Sequence, residues 1–131
     1  MAGFDWEVFY AIFKAKLEEQ IDCTVGHYIP SGENTFPCVE VTLIENAGTD
    51  YDLEGGEGAR NPLIEVSVYC RVPEENVCCR VSEAARKLMG SYGFQCRSGP
   101  GKAESPNSET ARWAGRYQRI FGNGDLVEQL D

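Results

Sequence analysis

The chain has 131 residues, of which 42% are hydrophobic and 25% charged, a composition typical of one globular domain and not of a disordered segment. Its formal net charge of −9 would repel nucleic-acid phosphates, which argues against a protein that reads DNA or RNA grooves. No apolar run approaches the ~20 residues of a membrane helix, and residues 1–20 lack the pattern of a secretory signal, so we expect a protein kept in a reducing cytoplasm.

Two segments have the apolar spacing of amphipathic helices. The first helix is predicted over residues 5–20, with Asp5 as its N-cap. The second is predicted to begin at Pro73, a residue favoured at the first helical position, and to end at Gly93. The apolar stripes expected to face the core are Trp6, Phe9, Tyr10, Phe13 and Leu17 in the first helix and Val77, Val81, Ala84, Ala85, Leu88 and Tyr92 in the second.

Five segments are predicted to be β-strands, at 23–30, 36–45, 62–71, 94–98 and 112–122. The strand at 62–71 has the clearest alternation of apolar and polar residues, and the polar residues 99–111 are predicted to form a long link. The sequence therefore predicts a single α+β domain over residues 1–131, in which two helices pack in one layer on a mostly antiparallel β-sheet.

A long polar arm separates the two clearest strands and runs from Asn46 to Asn61, which is sixteen residues. A β-hairpin needs only two to five linking residues, and this arm is rich in glycine and acid. It is either an extension that reaches a neighbouring molecule or a disordered surface loop that has no partner. Residues 122–131 are predicted to form a short acidic tail.

Charge is distributed unevenly along the chain. Between Arg86 and Phe121 there are seven basic and two acidic residues, a net charge of +5, so the remainder carries −14 of the total of −9. Two complementary faces would let copies of the chain bind one another. The residues predicted to take part in self-assembly are Asp50, Asp52, Glu54, Glu57, Arg60, Arg112, Arg116 and Arg119. On one strand, Arg112 and Arg116 would share a face and Arg119 would point to the other.

No motif in the sequence indicates catalysis, a metal or a cofactor. The six cysteines include no CxxC pair, so we expect reduced, mostly buried thiols, with a metal or redox role as the alternative. His27 is the single histidine and has no catalytic context, and the glycines of the arm lack the GK[ST] of a phosphate loop. We therefore predict that the protein is not an enzyme.

The segments "FPCVEVTLIEN", "ARNPLIEVSVYCR", "ARKLMGSYGF" and "ARWAGRYQRIFG", in this order after an N-terminal helix, carry a resemblance to a known family. Over residues 1–124 the chain resembles the small tail-terminator proteins of long-tailed bacteriophages, also called tail-completion or minor capsid proteins. Each motif is a strand or helix pattern and none is a chemical signature.

The resemblance implies a structural protein of the virion, assembled in the cytoplasm of the host bacterium. Such proteins form a ring, typically six-fold, at the head-proximal end of the tail. The ring binds the tail tube protein, stops tube polymerisation and offers a docking surface to a head-completion or neck protein, while DNA passes through its centre without sequence-specific binding. Two alternatives stay open: another neck protein, such as a head-closure or connector adaptor, and an acidic inhibitor that mimics DNA.

Overall fold

The computed structural model of the chain describes residues 4–30, 32–48, 59–122 and 130. Its helices and strands, in chain order, are α1 (Trp6–Gln20), β1 (Thr24–Val25), β2 (Cys38–Gly48), β3 (Ala59–Arg71), α2 (Glu75–Ser91), β4 (Gln95–Asn107), β5 (Thr110–Gln118) and β6 (Phe121–Gly122). A short 3-10 helix, Val72–Glu74, leads into α2, so the predicted start at Pro73 falls just before the α-helix proper.

The strands form one sheet in the order β1-β2-β3-β5-β4, and β6 pairs separately with the first residues of β3. β1 and β2 are parallel, and all other pairs are antiparallel. Both helices pack against the sheet layer. The predicted α+β class, two helices on a mostly antiparallel sheet, is confirmed.

Local sequence signals account for the ends of both helices. The Asp5 carboxylate accepts a hydrogen bond from the backbone N–H of Val8 (3.2 Å), which is the predicted N-cap of α1. At the end of α2, Gly93 adopts a positive φ of 86°, and the N–H groups of Gly93 and Phe94 donate to the carbonyls of Gly90 and Met89. This Schellman arrangement satisfies carbonyls that the end of a helix would otherwise leave unpaired.

The hydrophobic core lies between the helices and one face of the sheet. Phe9, Phe13 and Leu17 of α1 are buried, as the stripe predicted, and Trp6 and Tyr10 are partly buried at its margin. The core side chains from the rest of the molecule include Ile64, Val66, Val68, Val81, Ala85, Leu88, Tyr117 and Phe121.

The predicted arm is shorter than the sequence indicated. β2 and β3 stay paired out to Gly48 and Arg60, so 46–48 and 59–61 belong to the hairpin and not to a loop. The acids Asp50, Asp52, Glu54 and Glu57 lie outside the described residues.

The predicted polar link at 99–111 is wrong. β4 continues through it to Asn107, and a turn at 108–109 leads directly into β5. β4 is the outermost strand and most of its residues are exposed, so it lacks the apolar alternation by which a half-buried strand is recognised. The predicted strand at 112–122 is likewise split into β5 and β6.

The two edges of the sheet differ. β1 covers β2 only at Cys38 and Val39, so from Glu40 onward the outer side of β2 has no neighbouring strand within the described part of the chain. The opposite edge, β4, contains Pro100 and Pro106 and pairs with β5 through several register shifts. Among the helices that the structure describes, none is long and apolar enough to span a membrane.

Candidate assembly surface

The sheet has a second face, opposite the helices, that carries charge. The register places Glu65 and Ser67 of β3 beside Arg112 and Arg116 of β5 on this face, because each is offset by one residue from a core position such as Val66. We call the group Glu65, Ser67, Arg112 and Arg116 the open-face ladder. As the sequence predicted, Arg112 and Arg116 point to the same side.

Glu65 holds both arginines of the open-face ladder. Its Oε1 accepts from Nη2 of Arg112 (3.2 Å) and its Oε2 from Nε of Arg116 (3.1 Å). Arg112 also donates to the Ser67 hydroxyl oxygen from Nε (3.2 Å) and Nη2 (3.0 Å). The side chains of Arg112 and Arg116 are 23% and 47% exposed. Both arginines therefore have an acidic partner within their own chain, whereas the sequence assigned them to the acids of another copy.

On the same face of the sheet as the open-face ladder, an aromatic pair lies nearer to β2. The rings of Tyr28 and Tyr69 stack at 4.1 Å with an interplanar angle of 10°. The Tyr69 hydroxyl donates to Glu40 (3.5 Å), whose other oxygen lies 3.4 Å from Nδ1 of the exposed His27. Burial raises the pKa of the Tyr69 hydroxyl, with Glu40 adding to the effect and Arg112 opposing it. Tyr28 thus covers a part of the sheet that no helix reaches.

The other two predicted arginines lie apart from the ladder. Arg60, in the hairpin of β2 and β3, donates from Nη1 to the carbonyl of Asn46 (3.2 Å). Arg119 follows the end of β5, where its Nη1 donates to the carbonyl of Tyr92 and its guanidinium lies 4.2 Å from the centroid of the Phe121 ring. The structure therefore does not gather the four predicted arginines into one patch.

A pocket of about 420 Å³ opens between the C-terminal end of α2, the start of β4 and the end of β5, beside Asn61 of β3. We call it the basic pocket, and its lining includes Asn61, Gly93, Gln95, Arg97, Gln118 and Arg119. No acidic side chain lines it among the described residues. A side chain on Gly93 would meet Nη1 of Arg119 at 3.3 Å, so the glycine leaves room for the guanidinium as well as ending the helix.

The described cysteines are free thiols in different environments. Cys38, Cys70 and Cys78 are buried, Cys23 and Cys79 are partly buried, and Cys96 alone of the six is exposed, so it is the exception to the predicted mostly buried thiols. Burial, with Glu18 and Asp22 nearby, raises the pKa of Cys23 to about 11. Interaction with the neighbouring Cys70 thiol, together with burial, raises the pKa of Cys78, whose Sγ donates to the carbonyl of Val68 (3.5 Å). No group of three His, Cys, Asp or Glu side chains in the described ranges is arranged to hold a metal ion.

The sequence did not reveal the contacts of three polar groups, Glu65, Glu75 and Arg97. Glu65 lies in the strand with the clearest alternation, but its pairing with β5 needs the sheet register. The Glu75 carboxylate accepts from the indole N–H of Trp113 (2.9 Å), which lowers its pKa, and lies 3.3 Å from Lys102. Arg97 was placed on a short strand without a role, and only the hairpin of β4 and β5 brings it beside Gln118 and Arg119.

A comparison with protein-family models finds no match, and a search of curated proteins finds no significant similarity.

Proposed function

We propose that the chain is a structural subunit of a phage tail terminator, which forms a ring at the head-proximal end of the tail tube, stops tube growth and presents a docking surface to the head. The support is the resemblance of the segments quoted above, together with a two-layer α+β domain whose chemistry is suited to binding and not to catalysis. In this role the partners are other copies of the chain, the tube protein and a neck protein.

The observation that carries the proposal is the hairpin of β2 and β3. Beyond Val41, the β2 residues Thr42, Ile44 and Glu45 are exposed, yet the strand remains paired with β3 to Gly48. An ordered hairpin with one exposed strand, whose connecting residues 49–58 are acidic in sequence, is suited to contact a neighbouring molecule. Subunits of a closed ring meet through two different patches, so an extension on one and an acceptor on the next are what such a ring needs.

Charge supports the same role. The overall charge of −9 would keep the wall of a central channel from binding DNA phosphates, so that DNA slides through it. Each exposed ion pair between subunits would contribute only ~0–1 kcal/mol. Apolar contacts must therefore supply most of the affinity, while charges set the register between subunits.

The test is electron microscopy and multi-angle light scattering of the purified protein, alone and with isolated tail tubes. We expect closed rings, or rings that form at one end of each tube. A protein that stays monomeric at high concentration and leaves tubes undecorated and still growing would overturn the proposal. Rings that bind isolated heads but not tubes would instead identify a head-side neck adaptor.

A matched variant isolates the role of the link. Residues 49–59 are replaced by an Asn-Gly turn, so that Gly48 and Arg60, which pair with each other, flank a two-residue loop and the described register of β2 and β3 is kept. The entropic cost of closing a loop depends only weakly on its length, so the variant should unfold at the same urea concentration as the parent chain. It should no longer form rings, and normal rings in this variant would show that the link is not an assembly element.

A further inference from the structure

We propose that the outer side of β2 over residues 40–45, here called the β2 edge, binds an extended strand of a different protein whose side chains alternate between apolar and basic. The proposal goes beyond the terminator role, because it concerns a binding site of the single chain and holds whether or not the chain forms a ring. A strand that adds to the edge of a sheet gains affinity from main-chain hydrogen bonds and specificity from its side chains.

The β2 edge offers main-chain groups to a partner. The carbonyl of Val39 points away from β3, since it accepts a hydrogen bond from the N–H of Gly26 (2.9 Å). Main-chain groups alternate between the two sides of a strand, so those of Val41 and Leu43 point the same way. β1 pairs with β2 only as far as Val39, and no strand in the described part of the chain pairs with Val41 or Leu43 on this side. Their N–H and C=O groups are the partners that an added strand needs.

The outer edges of β1 and β4, in contrast, are closed. At β1, the Glu18 carboxylate accepts from the N–H of Val25 (2.8 Å), and the Lys14 ammonium donates to the carbonyl of the same residue (2.7 Å). At β4, Pro100 and Pro106 interrupt the row of main-chain donors. Sheets are protected against unwanted pairing by such means. The β2 edge contains no proline or lysine, and within the described ranges no side chain caps it.

The helix side of the β2 edge is apolar. Val41 is buried, and Leu43 packs partly buried at the margin of the core. Ile44, where the register between β2 and β3 shifts, is 40% exposed and adds apolar surface at the end of the edge. A partner strand with apolar residues on this side would extend the core beyond Leu43 and remove apolar surface of both molecules from water.

The other side of the β2 edge is acidic. Glu40 and Glu45 lie on either side of Thr42, on the face of the sheet that carries the open-face ladder. Glu45 is exposed and makes no ion pair with a base in the described ranges. Glu40 contacts the Tyr69 hydroxyl and the imidazole of His27, a side chain that is 85% exposed. Opposite charges on neighbouring strands stabilise a sheet, so this side favours a partner strand that carries lysine or arginine.

A second copy of the chain has no suitable strand among its described residues. The outer edges of its β1 and β4 are closed, and pairing two β2 edges would join strands that carry acids and no base. In an antiparallel pair centred on Thr42, Glu45 of one copy would also lie opposite Val39 of the other, a place that β1 already occupies. The partner is therefore a different protein, with basic residues opposite the acids of β2.

A labelled peptide tests the site directly. The probe is a fluorescein-labelled peptide of the alternating sequence KVKVTVK, titrated with the full chain and followed by anisotropy. We expect saturable binding, and its absence would overturn the proposal. The control peptide has the same side chains but is N-methylated at every residue, which removes the donors of both its edges and should weaken binding at least about tenfold. Equal binding of the two peptides would show attraction between charges without strand pairing, and the proposal would fail.

A matched pair of variants locates the binding site. Glu45→Lys should bind the peptide at least about threefold more weakly, because an attraction between strands becomes a repulsion. Glu104→Lys, at an exposed position on the outermost strand β4, changes the net charge by the same amount and should bind like the parent. If both variants weaken binding equally, the total charge and not the β2 edge determines binding, which contradicts the proposal.

Amide hydrogen exchange read by NMR shows whether the β2 edge is open in the free chain. The N–H groups of Val41 and Leu43 should exchange quickly in the free chain and at least about tenfold more slowly with saturating peptide. Those of Glu40 and Thr42, which face β3, should exchange slowly in both states and serve as an internal control. Slow exchange at Val41 and Leu43 without peptide would mean that another part of the chain covers the edge, and the proposal would be wrong.

The β2 edge and the terminator role can fail separately. Rings or capped tubes formed by a chain that does not bind the peptide would overturn the β2 edge as a binding site and leave the terminator role intact. Peptide binding that protects Val41 and Leu43, in a chain that neither forms rings nor caps tubes, would establish the site and overturn the terminator role.

Discussion

Glu65 should be the residue of the open-face ladder on which stability depends most. It lies on the central strand β3, its side chain is only 18% exposed, and it holds two arginines at once. Replacing Glu65 with Ala removes the shared acceptor and leaves Arg112, itself largely covered, without a counter-charge. Arg116 is more exposed to water, so the loss of its partner should cost less free energy.

The exposures predict an order of effects. Glu65→Ala should lower the free energy of unfolding by about 1–3 kcal/mol, the range for removing a partner from a partly buried charge. Arg112→Ala should cost about 1–2 kcal/mol, because Ser67 loses its donors and the arginine stem loses its packing. Arg116→Ala should cost about 0–1 kcal/mol, as expected for a solvent-exposed pair.

Urea unfolding followed by tryptophan fluorescence measures these differences, and double-mutant cycles separate the two pairs. The coupling energy of Glu65 with Arg112 should exceed that of Glu65 with Arg116, and 1 M salt should weaken the second coupling more than the first. If the two couplings are equal, or if Glu65→Ala costs less than about 0.5 kcal/mol, the ladder does not work as described. A charge reversal at Arg112 and Arg116 would also destabilise the monomer, so it is a poor probe of assembly.

Three further measurements test other parts of the structure. Leu88→Ala should lower the free energy of unfolding by ~2–5 kcal/mol, because this side chain is buried between α2 and the sheet. The exposed control Lys87→Ala should change it by less than about 0.5 kcal/mol, and an equally small change for Leu88→Ala would contradict its burial. In thiol titration of the native protein without reductant, the exposed Cys96 should react first, and Cys23 should react slowly at pH 8 because its pKa is raised to about 11. In denaturant all six cysteines should react, and fewer than six would indicate a disulfide or a bound metal. Glu18→Gln should cost about 1 kcal/mol at neutral pH, because the Glu18 carboxylate accepts from the Lys14 ammonium and the N–H of Val25. Those same contacts hold the pKa of Glu18 below its usual value of 4.5, so this stabilisation is present above that value and is lost as the pH falls through the folded-state pKa; a cost that stays constant down to pH 2 would refute the explanation.

The elements that bury one apolar face could be predicted from the sequence. The stripe containing Phe9 and Phe13 identified α1, and the alternation around Val66 identified β3. Burial of one face requires apolar residues to recur at the repeat of the helix or strand, and this repeat is visible in the sequence. β4 could not be recognised, since a mostly exposed edge strand is under no such selection and its glycines and prolines resemble a loop. The ends of β2 and β3 were missed for the same reason.

The predicted assembly residues show a different limit. That Arg112 and Arg116 share a face follows from spacing along one strand. That Glu65 lies between them follows from the pairing of β3 with β5, two strands that are separated in sequence by α2 and β4. The basic pocket depends in the same way on residues from four segments of the chain. The face on which a side chain lies can be predicted from its position along one strand. The charged partner of that side chain on a neighbouring strand depends on the register between the strands, which cannot be read from the sequence.

The unequal edges of the sheet limit how far the protein can polymerise by strand addition from one molecule to the next. A strand of another molecule can add beside β2 after Val39, where the backbone has no neighbour among the described residues. At the opposite edge, Pro100 and Pro106 lack the N–H that a further strand would require, and the register shifts of β4 disturb the spacing of the remaining groups. A sheet that can be extended on one side only accepts a single addition and then stops. Fibril growth by strand addition needs two usable edges, so we expect the folded protein not to propagate cross-β aggregates through its sheet.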